Sequence, residues 1–166
     1  MKSDIRKFLD CTGNSPVDID CDNVKGKLKA AMLKRIDLQL EELNEKKEAL
    51  ENDDWVEVLD AVFDNDVYQH QDIIDLETVG FNYVGACKAG CINNSLKYTT
   101  SKEYVTNWLH ELQEKTGRDD WYISETVVWG ETFYCLKNRV THKVSKYWDF
   151  PKVDFRPFVP EKFKDE

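Results

Sequence analysis

The sequence predicts a mainly α-helical fold of four to five helices, followed by a C-terminal β-hairpin and an extended tail. Two long stretches repeat apolar residues at steps of three and four, which is the period of an amphipathic helix. Residues 121–140 alternate aromatic and β-branched side chains on either side of Gly130, a pattern typical of a hairpin. Residues 147–166 are rich in proline and aromatic side chains, which favours an extended path over the body.

The helix boundaries follow from breaks and caps in the apolar pattern. The chain begins with a short amphipathic segment, and a loop rich in turn-forming residues follows and ends near residue 24. Asp53 or Asp54 is placed to cap a helix that begins at Trp55, and Thr100 with Ser101 precedes the last helix. The predicted long helices are 24–52, 55–70, 73–98 and 101–114.

The length of the chain indicates one domain. Its 166 residues are enough for a single core of ordinary size. We therefore interpret residues 1–118 as a helical domain and residues 119–166 as a hairpin and tail that pack on the same domain. The N-terminus has no apolar run typical of a signal peptide, and no stretch is long enough to span a bilayer. A cytoplasmic chain with no membrane partner is expected.

The charge balance disfavours nucleic acid as a partner. The chain has 23 Lys and Arg residues against 32 Asp and Glu residues, a formal net charge of −9. Such a charge repels nucleic acid unless a basic patch is segregated, and no such patch is visible in the sequence. No nucleic-acid partner is therefore expected.

The predicted helices 24–52 and 55–70 each carry one acidic stripe. Residues three, four or seven positions apart on a helix lie within about 60° of one another, because each residue turns the helix by about 100°. The stripes consist of Glu41, Glu42 and Glu45 on the first helix, and of Glu57, Asp60 and Asp64 on the second.

A short connection between the two helices predicts that they pack antiparallel, which brings the two stripes together. Carboxylates that converge in this way repel one another, and hard divalent cations with oxygen ligands offset that repulsion. The alternative is an ordinary solvated face, in which Lys46 and Lys47 pair with neighbouring glutamates. Asp60 and Asp64 favour the metal interpretation because their neighbours in the sequence are apolar, and an enclosed acid needs a partner.

The stretch LQLEELNEKKEALENDDWVEVLDAVFDNDVY, residues 38–68, resembles the metal-binding helix pair of the all-α NTP pyrophosphatases. This superfamily contains MazG, dimeric dUTPases, dCTP pyrophosphatases and phosphoribosyl-ATP pyrophosphohydrolase. The opening IRKFLDCTG, the segment NNSLKY and the hairpin SETVVWGETFYCLKNRVTHKVSKYWDFP extend the resemblance over nearly the whole chain. It is closest to the compact MazG-like proteins that bacteriophages often encode. It implies the superfamily's helical bundle and, for a phage-encoded protein, the host cytoplasm.

The resemblance also implies roles for the acidic residues. The EExxE acids Glu41, Glu42 and Glu45 would bind Mg²⁺, or Mn²⁺ as the alternative ion, together with two acids of the second helix. Family members differ in whether that second pair has the spacing DxxxD or ExxD. The ligands are therefore Asp60 with Asp64, or Glu57 with Asp60 as the competing assignment.

Substrate contacts are implied farther along the chain. Asn94 and Lys97 fall on the family's Asn-Lys positions and are expected to contact the triphosphate or the sugar. Lys97, helped by Lys143 or Lys146, would hold the distal phosphates, since an ammonium group is a compact cation suited to phosphate. Candidates for stacking on the base are Trp55, Phe81 and Trp129.

The implied reaction is Mg²⁺-dependent hydrolysis of a nucleoside triphosphate, such as a dNTP or a non-standard NTP, to the monophosphate and pyrophosphate. Water attacks the α-phosphorus, and Glu41 or Glu45 accepts its proton as general base. Relatives assemble as homodimers or homotetramers, and the same is expected here. One alternative is a weak or inactive nucleotide-binding module that sequesters a nucleotide signal or antagonises a host protein. Another is an acidic structural protein with no metal site.

Overall fold

The computed structural model describes residues 2–12, 16–17 and 22–164. Within these residues the fold is mainly helical with a small antiparallel sheet, which confirms the predicted fold class at this coarse level. The helices are α1 Lys2–Cys11, α2 Val24–Glu51, α3 Trp55–Thr78, α4 Tyr83–Ser95 and α5 Lys102–Thr116. The strands are β1 Tyr98–Thr99, β2 Trp121–Val128 and β3 Glu131–Asn138. Most of the predicted loop before α2, residues 13–15 and 18–21, lies outside the described residues.

The chain divides into two compact units, residues 1–83 with 156–166 and residues 84–155. In the first unit, α2 and α3 form a helical hairpin with a three-residue connection, and α1 packs against α3. A small apolar core joins α1 to α3 through Ile5, Leu9 and Ile74. Within the described residues, no helix has the length and apolar character that crossing a membrane requires.

The connection between α2 and α3 is closed by a side-chain cap. An Oδ1 atom of Asp54 accepts hydrogen bonds from the backbone N–H groups of Val56 and Glu57, both at 3.2 Å. These donors have no partner inside the helix, so the cap satisfies two of the four free N–H groups of the first turn. Of the two caps that the sequence allows, Asp54 is therefore the one used.

The face of α2 that packs on α3 is narrower than its apolar pattern indicates. Leu28, Arg35 and Ala49 are buried, and Glu42 is partly buried. These four residues recur every seven positions, the repeat of a coiled-coil contact. Apart from Leu28, the larger apolar residues of α2 lie off this line, and Leu40 remains 53% exposed in the single chain.

One predicted helix break is wrong. The sequence predicts separate helices at 55–70 and 73–98, but α3 continues to Thr78 and α4 begins at Tyr83. The break lies at Gly80, whose φ of 101° is outside the helical range and is tolerated because glycine has no Cβ. Nothing at residues 71–72 forces an earlier break.

The second unit packs α5 against a three-stranded sheet of order β1-β3-β2. Its core is formed by Val105, Leu112 and Leu136. The predicted hairpin is confirmed, because β2 and β3 pair in register from Val128 with Glu131 onwards. Trp129 and Gly130 form the two-residue turn, with φ values of 51° and 82°, as a type I′ turn requires. The two-residue strand β1 was not predicted.

The end of the chain has little regular structure, as expected. Single turns of 3-10 helix occur at Arg156–Phe158 and Glu161–Phe163. In the first unit, the backbone N–H of Asn82 donates to the carbonyl of Phe158 at 3.0 Å. The rings of Phe81 and Phe163 lie 4.9 Å apart. Phe81, a predicted stacking residue, thus packs against the tail.

Candidate functional site

The acidic stripes of α2 and α3 meet through Glu42 and Asp64. Both side chains are partly buried, and Asp64 acts electrostatically on the Glu42 carboxyl. One end of the same helix pair is fixed by Arg35 of α2, which contacts Asp72 and Asp75 of α3. The order of these contacts along the chain requires antiparallel helices, so the predicted pairing brings one acid of each stripe together.

The Glu42 carboxyl is held in an unfavourable environment for its charge. Burial raises the pKa of Glu42, and repulsion from Asp64, Glu45 and Glu41 raises it further. Both effects penalise the ionised form, since burial removes water and the neighbouring acids have the same charge. The four residues therefore form an electrostatically coupled cluster, which we call the acidic cluster.

Two of the predicted metal ligands lie away from the packed face. Glu57 and Asp60 are exposed on α3. Apolar neighbours do not enclose Asp60: its side chain is exposed, and so are those of Leu59 (70%) and Phe63 (56%), although Ala61 is buried. Asp64, one turn farther along α3, is partly buried, so the requirement for a partner applies to Asp64.

Among the described residues, no three His, Cys, Asp or Glu side chains converge closely enough to hold a metal ion as they stand. Glu41 and Glu45 are exposed, so their side chains are free to change rotamer. The side chain of Glu45 hydrogen-bonds the Glu42 carboxyl, whereas Asp64 and Glu41 act on Glu42 by charge repulsion. The donor set still consists entirely of carboxylate oxygens, the ligands that Mg²⁺ and Mn²⁺ prefer.

Tyr68 belongs to the same region and was not predicted. Burial raises the pKa of Tyr68, and repulsion from Glu42, Asp64, Glu41 and Glu45 raises it further, since both effects penalise the phenolate. Tyr68 follows Asp64 by four residues and so shares its helix face. This four-residue spacing is the feature of the sequence from which the position of Tyr68 beside Asp64 could have been predicted.

A cavity of about 640 Å³ opens beside the acidic cluster. It lies between α1 and α3, and Asp64 and Tyr68 belong to both the cavity wall and the cluster region. The wall consists of Asp4, Ile5, Phe8, Phe63, Asp64, Val67 and Tyr68. Three aromatic rings next to a carboxylate form a wall suited to a planar, mainly apolar group.

A second cavity of about 480 Å³ shares Phe8, Val67 and Tyr68 with the first. Its wall also includes Arg35 and Asp75. The two cavities therefore adjoin along α3, one towards the acidic cluster and the other towards the buried arginine.

Arg35 forms a buried ionic network that the sequence analysis missed. Its Nε donates to Asp72 Oδ1 at 2.5 Å, and its Nη2 donates to Asp75 Oδ2 at 2.6 Å. The other oxygen of Asp75 accepts from the backbone N–H of Val17 at 3.0 Å. Arg35 and Asp75 are only 6% and 2% exposed, so this ion pair is made away from water, and the Val17 bond ties the segment before α2 to α3.

The four predicted substrate-binding residues all lie in the second unit. Asn94 and Lys97 are neighbours, since Lys97 Nζ donates to Asn94 Oδ1 at 2.5 Å. Lys143 and Lys146 are exposed, and Lys146 Nζ lies 5.3 Å from the ring centre of Phe150. Of the other stacking candidates, Trp129 is fully exposed at the hairpin turn.

Comparison with known proteins adds no relative. No protein-family profile, curated protein sequence or solved structure matches the chain.

Proposed function

We propose that the protein hydrolyses a nucleoside triphosphate to the monophosphate and pyrophosphate in a reaction that depends on Mg²⁺ or Mn²⁺. The observation that carries the proposal is the acidic cluster, in which Glu42 and Asp64 face each other between α2 and α3 with Glu41 and Glu45 nearby. A raised pKa at a group in such a cluster is typical of functional sites, because the protein tolerates an electrostatic cost there.

The metal would be held by Glu42 and Asp64, with Glu45, whose side chain hydrogen-bonds the Glu42 carboxyl, and with Glu41 after rotation of its exposed side chain. When bound, it would activate water and neutralise charge on the phosphates. Glu41 or Glu45 acts as general base and accepts the proton of the attacking water. Glu57 and Asp60 remain the competing ligands on α3, and they are the weaker choice because neither is among the acids that act on the Glu42 carboxyl.

The base of the nucleotide would occupy the larger cavity. Phe8, Phe63 and Tyr68 supply aromatic surface for stacking, and Asp64 links that wall to the acidic cluster. This assignment replaces Trp55, Phe81 and Trp129 as the stacking residues. Asn94 and Lys97, with Lys143 and Lys146, are assigned to the phosphates or sugar by the resemblance alone.

We expect a homodimer or homotetramer because the helix pair exposes much apolar surface. In the single chain, the large apolar residues of α2 and α3 that are more than 40% exposed are Leu33, Ile36, Leu40, Leu43, Leu50, Trp55, Val56, Leu59, Val62 and Phe63. Patches of this kind mark protein interfaces in soluble proteins. A second helix pair packed on this surface would cover it and enclose the larger cavity, whose wall includes Phe63.

The test is pyrophosphate release from each NTP and dNTP, with Mg²⁺ and then Mn²⁺. Glu42→Gln and Asp64→Asn should lower the rate by more than the roughly 10- to 100-fold that loss of an outer-sphere partner costs. The matched control is Glu48→Gln, an exposed acid on the same helix that should keep full activity. Glu57→Gln and Asp60→Asn test the competing ligands. Full activity in both Glu42→Gln and Asp64→Asn would refute the assignment.

A nucleotide-binding module without turnover is the second candidate. It is favoured by the donor geometry, since no three His, Cys, Asp or Glu side chains of the described residues converge closely enough to hold a metal ion as they stand. Calorimetric titration with a nonhydrolysable nucleotide separates the two functions, because a binding module gives heat of binding without pyrophosphate release. In that case Phe8→Ala should abolish binding, whereas Glu42→Gln should leave it nearly unchanged.

A further inference from the structure

The outer edge of β2 is the longest unpaired strand edge in the described part of the chain. The sheet order β1-β3-β2 places β2 at one side, and its eight residues pair only with β3. The opposite side of the sheet is largely covered. β1 pairs with β3 at Tyr134 and Cys135, and residues 143–145 bond to β3 at Leu136 and Asn138.

The direction of the β3 hydrogen bonds shows which backbone groups of β2 point outwards. The carbonyl of Leu136 accepts from the N–H of Ser145 at 2.8 Å, so it points away from β2. Its cross-strand partner Ile123 therefore also directs its N–H and C=O away from the hairpin. By the alternation of an antiparallel ladder, the outward groups belong to Trp121, Ile123, Glu125 and Val127.

This edge lacks the features that normally prevent strand addition. Proteins protect exposed edges with lysine, proline, bulges or very short strands. β2 contains no lysine, arginine or proline, and its ladder with β3 has no bulge. Its single charge is Glu125, and the strand ends in an exposed apolar tip: Val127 is 65% exposed and Trp129 100%.

We propose that β2 pairs with β2 of a second copy of this chain, antiparallel about a two-fold axis at Ser124. The two three-stranded sheets then become one six-stranded sheet. Trp121 lies opposite Val127 of the second copy, and Ile123 opposite Glu125. The two-fold axis generates each pair twice, and each of the four resulting pairs exchanges two hydrogen bonds, so the interface forms about eight backbone hydrogen bonds.

The register follows from the outward groups. The outward backbone groups of one copy bond only to the outward groups of the other copy. Because outward groups occur at every second residue, the two-fold axis must pass through a residue and not between two residues. The two axes that use nearly the whole strand are Ser124 and Glu125. An axis at Glu125 sets that carboxylate opposite its own copy, which like-charge repulsion disfavours. The axis at Ser124 avoids that contact.

The second copy is the occupant because the edge is complementary to itself. In the Ser124 register, exposed Val127 meets the Trp121 ring of the second copy, an aromatic and β-branched pair. Glu125 lies diagonally from that same Trp121, and the Arg118 guanidinium lies 5.9 Å from the Trp121 ring. The one negative side chain of the strand is thus placed on the side of Arg118 of the other copy, a guanidinium that also pairs with Asp120 of its own chain. This interface does not rest on the proposed function or on the helix surface described above.

Disulfide trapping tests the register. Ser124→Cys is made in a chain whose five native cysteines are replaced by serine, because Cys135 is the partner of Ser124 on β3 and would compete. At a non-hydrogen-bonded pair the two Cα atoms lie about 4.5 Å apart, within disulfide range. The matched control is Thr126→Cys on the same sheet face, whose copies would lie about 13 Å apart. We expect a covalent dimer from Ser124→Cys under mild oxidation and little from the control. Equal yields would overturn the proposal.

A second test uses the native cysteines and no cross-link. Val127→Lys places an edge lysine on the proposed interface, and Val140→Lys is the control at a valine that is 85% exposed outside the strand. Light scattering after size-exclusion chromatography measures the molar mass of the assembly. Val127→Lys should halve that mass relative to the parent, and Val140→Lys should leave it unchanged. Equal masses for both variants and the parent would overturn the proposal.

Discussion

Replacing Arg35 should destabilise the first unit more than any surface charge change. Arg35→Met keeps most of the side-chain length but removes the guanidinium that bonds Asp72 at 2.5 Å and Asp75 at 2.6 Å. Asp75 is 2% exposed, so its carboxylate would stay buried with no cation beside it. The remaining hydrogen bond, from the N–H of Val17, does not neutralise that charge.

The size of the effect follows from the burial. Removing one partner of a buried ion pair costs about 3–5 kcal/mol, because the other charge is left uncompensated. For a chain of this length, each kcal/mol lowers the melting temperature by about 2–4 °C, which gives a fall of roughly 6–20 °C. The matched control is Arg6→Met, since Arg6 pairs with Asp10 at 3.5 Å and both side chains are about half exposed. That change should cost at most about 1 kcal/mol.

Urea unfolding followed by the helical circular dichroism signal measures both variants, with EDTA present. The double variant Arg35→Met with Asp75→Asn should regain at least about 1 kcal/mol of the loss, because the buried charge is gone. A cost for Arg35→Met no larger than that of Arg6→Met would refute the reasoning. So would a double variant that is less stable than Arg35→Met alone.

Three further changes have defined outcomes. The pKa of Glu42 is raised in the folded state. The folded protein therefore loses stability as the pH rises through this raised pKa and Glu42 ionises. Below the ordinary pKa of 4.5 the loss is absent, because the carboxyl is protonated in both the folded and the unfolded state. Glu42→Gln should therefore melt above the parent near pH 7 in EDTA and level with it at about pH 4, with Glu48→Gln unchanged at both. Asp54→Ala should cost about 1 kcal/mol in urea unfolding through loss of the α3 cap, and Asp54→Asn a few tenths; equal costs would contradict this. Gly117→Ala should lower the free energy of unfolding in urea by about 1–2 kcal/mol. No atom lies within 4 Å of the added Cβ, so the cost comes from backbone strain at φ 65° and not from a clash. Gly117→Asn should cost less, because asparagine tolerates a positive φ better than alanine does.

The predictions from the sequence succeeded where structure depends on neighbouring residues. The hairpin follows from alternation around Gly130, and Asp54 and Ser101 cap the helices that they precede. Ser101 Oγ accepts from the N–H of Tyr104 at 3.3 Å. These features need only a few consecutive residues, so local pattern and turn chemistry are enough to identify them.

The predicted boundary between the helices 55–70 and 73–98 was wrong because the number of glycines in a segment does not show which of them ends a helix. Three glycines weaken the predicted helix 73–98, but only Gly80 takes a positive φ, while Gly85 and Gly90 lie within α4. A glycine is compatible with a helix at a cost of about 1 kcal/mol, so its presence alone does not locate an end. The packing of α3 on α2 and α1 through residue 75 decided the boundary instead.

The sequence by itself determined that two acidic helices follow each other with a short connection, and hence that their carboxylates would come together. Only the tertiary structure decided which carboxylates those are. Apolar periodicity on α2 indicates a broad face, yet packing uses the line through Leu28, Arg35 and Ala49, which turns Glu42 towards Asp64. On α3, Asp64 is partly buried while Asp60 stays exposed. The rotation of one helix against another depends on contacts between residues far apart in the chain, such as Arg35 with Asp72 and Asp75. Spacing along a single helix carries no information about those contacts.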